Sequence, residues 1–112
     1  MDVSAIGPIS VAGYDYPVIY DTLYLIKLNL LAEIDYHATV IRLRDDITPQ
    51  AQFQSLIHEI QHAIENTYLE GTPFEERVIA GMSQGWFQVL RDSPKLRAAF
   101  DELDAKEEDK DE

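Results

Sequence analysis

Apolar and polar positions alternate twice within the first twenty residues, and the two runs are out of phase. In PISVAGYDYPVIY (residues 8 to 20), Ile9 and Val11 share one parity, and Tyr14, Tyr16, Val18 and Tyr20 share the other. The change falls at Gly13, which predicts a hairpin or a sharply bent strand. Pro17 cannot donate to a β-ladder, so its strand belongs at a sheet edge. Residues 21 to 31, DTLYLIKLNLL, fit two periods: Tyr24, Ile26, Leu28 and Leu30 suit a strand, while Leu23, Ile26 and Leu30 suit a short helix. Residues 34 to 44, IDYHATVIRLR, are rich in β-branched and aromatic side chains. They predict one strand, ending at Asp45 and Asp46, with Ile41 and Leu43 on its buried face.

From residue 48 the period becomes helical. Thr48 followed by Pro49 is a helix start, with Thr48 as N-cap, and the helix TPQAQFQSLIHEIQHAIENTYL ends before Gly71. At ~100° per residue, Phe53, Leu56, Ile57, Ile60, Ala63, Ile64 and Tyr68 fall within an arc of ~140°, read as the face packed on a sheet. A second helix is expected from Thr72 and Pro73 to about Asp92, with Val78, Ile79, Met82, Trp86, Phe87, Val89 and Leu90 as its apolar arc. Ser93 and Pro94 repeat the start signal for a short third helix to about Leu103, striped by Leu96, Phe100 and Leu103. Together these elements predict an α+β fold. A small mixed or antiparallel sheet of about three strands packs on the central helix and one or two further helices.

The length of 112 residues sets one domain, drawn at residues 1 to 100. The net charge of −12 is concentrated in residues 101 to 112, where eight acids face two lysines, and that stretch is expected to be a solvated, disordered tail. No cluster of Lys and Arg is present to bind a nucleic-acid backbone. The absence of cysteine leaves His, carboxylate and water as the available metal ligands. Without a continuous apolar run at the N-terminus or a span of eighteen apolar residues, the chain reads as neither exported nor membrane-inserted, hence cytoplasmic.

The central helix carries His58, Glu59 and His62, a His-Glu-x-x-His pattern. Histidines one helical turn apart can share a metal ion, and the intervening Glu can act as general base toward a water that the ion holds. By helical phase His58 and His62 lie ~40° apart, nearly opposite the apolar arc, and Glu59 sits ~60° beyond His62. The competing reading is two solvated histidines on a polar helix face. A catalytic zinc needs a third protein ligand and one open position. Glu75 and Glu76 both project within the apolar arc of the second helix. Thr72-Pro73-Phe74-Glu75 forms a capping box that gives Glu75 a local partner, so Glu76 is the better ligand and Glu75 the alternative.

Across roughly residues 34 to 94, the succession YHATVIRL, SLIHEIQHAI and EERVIAGMSQGWFQVLRDSP resembles the minimal zincin-like metallopeptidases of bacteriophages and prophages. It is more distantly similar to the peptidases that cleave phage repressors. The resemblance implies Zn2+ bound by His58, His62 and a Glu at the start of the next helix, matched by Glu76, with Glu59 as base. Ser93 departs from the Asn common at that helix end. No transition-state stabiliser is evident; His37 and Tyr36, expected on the strand before the motif, are the candidates. The implied activity is a zinc-dependent endopeptidase acting on a peptide or protein substrate in a bacterial host cytoplasm. The alternative is a zinc-binding, non-catalytic interaction or regulatory module, favoured by a chain too short for a second subdomain to wall the cleft.

Overall fold

The computed structural model describes residues 2–68, 75–98 and 101–102. The fold is α+β, with a two-stranded and a three-stranded sheet. After a 3-10 turn (Val3–Ile6), β1 (Ile9–Val11) and β2 (Tyr14–Tyr16) form a hairpin, the first of the two forms the phase change allows. Ala12 and Gly13 make its turn with φ of 52° and 85°, the left-handed pair that matches the twist of two antiparallel strands. The phase change at Gly13 is therefore the turn itself. Pro17 then breaks the chain, and β3 (Val18–Tyr20) starts a separate sheet in the order β3-β5-β4, with β3 at the edge.

The ambiguous segment is a helix, α1 (Thr22–Lys27), of which Leu25 is the buried residue. The Thr22 hydroxyl donates to Asp45 Oδ1 at 2.6 Å and accepts from the Asp45 N–H at 3.0 Å, tying the start of α1 to the end of β5. At its other end Asn29 takes a φ of 56°. The Asn29 N–H donates to the Ile26 carbonyl at 3.0 Å and the Leu30 N–H to that of Leu25 at 2.9 Å. This pair of bonds is a Schellman closure, and asparagine is among the few non-glycine residues that tolerate its left-handed position.

The single strand expected over residues 34 to 44 is instead two, β4 (Ala32–Asp35) and β5 (Val40–Leu43), paired antiparallel with Ile34 opposite Ile41. Asp35 turns the chain between them: its Oδ1 accepts from the Ala38 N–H at 2.9 Å, and Thr39 has a φ of 58°. Tyr36 and His37 thus sit in an exposed turn and not on a strand. β5 also runs parallel to β3, with Val18 opposite Ile41 and Tyr20 opposite Leu43. The sheet is mixed, and Ile41 and Leu43 share its buried face as expected.

The long helix α2 (Pro49–Tyr68) begins where the sequence indicates: the Ala51 N–H donates to Thr48 Oγ1 at 3.2 Å and the Gln52 N–H to the Thr48 carbonyl at 2.9 Å. Its sheet-facing stripe is Gln52, Leu56, Glu59 and Ala63, all buried. Ile64 and Tyr68 are exposed. The apolar arc read from the sequence is therefore turned from the true contact face, because α2 is packed on two sides. The sheet covers one side and α3 (Glu76–Asp92) the other, in antiparallel contact from Glu76 beside His62 to Phe87 beside Phe53. The second helix starts at Glu76 and not at Thr72; Glu75 holds the N-cap position with extended backbone and makes no side-chain cap bond. Thr72, Pro73 and Gly71 lie outside the described residues. α3 buries Ile79, Ser83 and Phe87, while Val78, Met82 and Trp86 of the expected arc are exposed. Residues 94 to 98 are helical, as expected after Ser93 and Pro94; Phe100 and Leu103 are outside the described residues.

The core is Val3, Val11, Tyr16, Val18, Ile41, Leu43, Leu56 and Ala63. The opposite sheet face carries Arg42, whose Nη1 donates to Glu33 Oε1 and Asp35 Oδ2, each at 2.8 Å, beneath the Tyr24 ring of α1. Leu56→Ala should cost about 2–5 kcal/mol in denaturant unfolding, the range for emptying a buried leucine site. Leu23→Ala, at a position 77% exposed, should change stability by less than about 0.5 kcal/mol. The Ala38 N–H and then Arg42 hold the Asp35 carboxyl below its usual 3.8. A lowered folded-state value means that its contribution is complete above 3.8 and is lost as pH falls toward the lowered value. Unfolding midpoints compared at pH 5 and pH 3 should fall less steeply in Asp35→Asn than in the wild type.

Candidate metal centre

His58 and His62, one turn apart on α2, point toward the N-terminus of α3, where Glu76 is the first helical residue. His58 Nε2 lies 2.6 Å from Glu76 Oε1, and His62 Nε2 lies 3.0 Å from Glu76 Oε2. The two Nε2 atoms are 3.2 Å apart. Metal–nitrogen and metal–oxygen bonds of about 2.0–2.2 Å in a tetrahedron separate ligand atoms by roughly 3.3–3.5 Å. The nitrogen pair, at 3.2 Å, is just short of that spacing. Glu76 would have to retreat by about half an ångström or more, and its side chain is 67% exposed and free to do so. Each of the three residues offers one ligand atom within 4.8 Å of the others, a donor set suited to a divalent ion such as zinc. Glu75, by contrast, turns outward and pairs with Arg77 at 3.1 Å.

Two buried polar side chains that sequence reasoning did not single out face the outer ring nitrogens. Ser83 Oγ is 3.5 Å from His58 Nδ1 and gives its proton to the Ala80 carbonyl at 3.1 Å, which leaves a lone pair toward the imidazole. Glu65 Oε2 is 3.7 Å from His62 Nδ1. Acceptors at Nδ1 favour the tautomer whose Nε2 lone pair is free for a metal. Ser83 carries a signal in retrospect: it is a hydroxyl between Ile79 and Phe87 on the one buried stripe of α3.

Glu59 lies beside His58 on the same turn of α2, and the structure adds what the sequence did not indicate, its burial against β4. It is 8% exposed, and its Oε2 accepts from the Ile34 N–H of β4 at 3.0 Å. Burial pushes its carboxyl up to about 7; the Ile34 hydrogen bond opposes the shift, and the charges of Glu76 and Glu33 add to it. A carboxyl near neutrality can both take and return a proton. Glu59 lines a cleft of about 450 Å³ together with His58, Glu76 and Ser83. The segment Asn29, Leu30, Leu31 and Ala32 lines the same cleft. Tyr36 is exposed as a residue, but its phenol is partly screened from water, and this desolvation, then the Glu59 charge, pushes it up to about 12. Neither Tyr36 nor His37 is among the described residues that line the cleft.

No helix among the described residues is long and apolar enough to cross a membrane. Comparison of the chain with protein-family models, curated proteins and solved structures found no significant match.

Proposed function

We propose that the protein is a zinc-dependent peptidase that cleaves within polypeptide chains, with His58, His62 and Glu76 as metal ligands and Glu59 as general base. The observation that carries this reading is the convergence of two imidazole nitrogens and one carboxylate beside a cleft that His58, Glu76 and the buried Glu59 carboxyl line. Zinc, when bound, supplies a Lewis acid that polarises a water and the scissile carbonyl. Glu59 accepts the proton of the attacking water and delivers it to the departing amine. Its Oε2 is steadied by the Ile34 N–H, which leaves Oε1 for that exchange. β4 is an edge strand, so its backbone supports an extended substrate by strand addition.

A second reading, a metal-holding interaction or regulatory module, is favoured by one observation. No Tyr or Arg, and no His other than His58, lines the cleft among the described residues to steady a developing oxyanion.

Mass spectrometry of protein purified without a histidine tag should find one zinc per chain. His58→Ala, His62→Ala and Glu76→Ala should each weaken zinc binding by at least about 100-fold in a chelator competition, and Glu75→Ala by less than about twofold. Glu59→Gln should keep zinc and lose about 10²–10⁴ in peptide hydrolysis. Unchanged hydrolysis by Glu59→Gln would remove the general-base role. Stoichiometric zinc without cleavage of any unfolded protein substrate would favour the second reading.

A further inference from the structure

The cleft has one wall that the proposed chemistry does not use. Asn29 closes α1 in its left-handed turn, and the chain then runs through Leu30 and Leu31 into β4. The two leucines line the same cleft as His58 and Glu76. They remain 38% and 58% exposed and are not part of the core cluster. Adjacent exposed leucines are costly in water, and such residues in a concave site are the usual contact for an apolar ligand group. α2 and α3 add the small side chains Ala51, Ser55 and Ala80 and the longer, uncharged Gln54 and Gln84 to the lining, and the cleft volume of about 450 Å³ has room for a substrate side chain.

The lining beside the leucines limits what is seated there. The charged lining residues of the cleft are Glu59 and Glu76, and no Lys or Arg lines it among the described residues. Away from the proposed metal position, an acidic side chain seated against Leu30 and Leu31 would lose water with no Lys or Arg among the described lining residues to pair with it. We propose that Leu30 and Leu31 form the specificity wall, and that the substrate is an internal peptide segment with a bulky, uncharged apolar side chain beside the scissile bond. This inference rests on the peptidase reading for the location of the scissile bond, but the wall itself can be tested by binding.

The test uses full-length Glu59→Gln protein loaded with zinc, so that a bound peptide is not consumed. Calorimetric titration with blocked octapeptides that differ at one central position (Leu, Phe, Asp or Lys) should show Leu and Phe peptides binding about tenfold tighter than the Asp peptide. Adding Leu31→Lys should abolish that preference and tighten the Asp peptide, with circular dichroism unchanged because the position is exposed. Leu30→Lys provides an independent second variant. Equal affinities across the series, no binding at all, or a preference untouched by both lysine variants would overturn the inference. Cleavage of the best-binding peptide by wild-type protein is scored separately. Selective binding without cleavage would keep the apolar wall and defeat the peptidase reading.

Discussion

One helix has to satisfy two neighbours, and most of the architecture follows from how α2 divides its surface between them. Leu56 and Ala63 are spent on the sheet. The side facing away from the sheet meets α3 through Phe53 and Phe87, whose rings lie 5.9 Å apart, and through the histidines and Glu76. Between the two contacts runs the flank that neither neighbour fills. There the sheet edge, α2 and α3 leave a groove, and His58 and Glu59 border it from the same turn of helix. The site is thus a product of layer packing and needs no long inserted loop, which is how a chain of 112 residues can present one.

This division explains what could and could not be read from the residues. The start of α2 was legible because Thr48 and Pro49 act through bonds within one turn, and the hairpin because Gly13 interrupts an alternation locally. The spacing of His58 and His62 was legible for the same reason, since helical pitch brings their rings together whatever surrounds them. The face of α2 was not. Its apolar side chains favour one direction, but the burial of Glu59 and Gln61 depends on sheet and helix closing from two sides, and no periodicity within α2 records that.

The break between β4 and β5 was hidden by composition. Its turn contains no glycine or proline; it is built from an Asp35 side chain and from Thr39 at positive φ, a conformation that β-branched residues seldom adopt. The start of α3 is set by the extended backbone of Glu75, a residue whose type carries no strong start signal in the sequence. That one-residue distinction sends Glu75 outward to Arg77 and Glu76 inward to the histidines. The cleft wall at Leu30 and Leu31 could be located only after the segment before it was known to be a helix closed at Asn29.

The junction between α2 and α3 has a mechanical side. α3 is held against the rest by a narrow buried stripe of Ile79, Ser83 and Phe87, and its first residue reaches the histidines across the gap. Any ion shared by those three side chains is a staple between two helices, and its binding energy adds directly to the docking of α3. The order of opening follows. Stripping such a staple would loosen the α2–α3 contact before the sheet-facing half, where Ile41, Leu43 and Leu56 are fully enclosed. A helix that completes such a site would then also be the part of the fold whose rigidity a bound ion supplies.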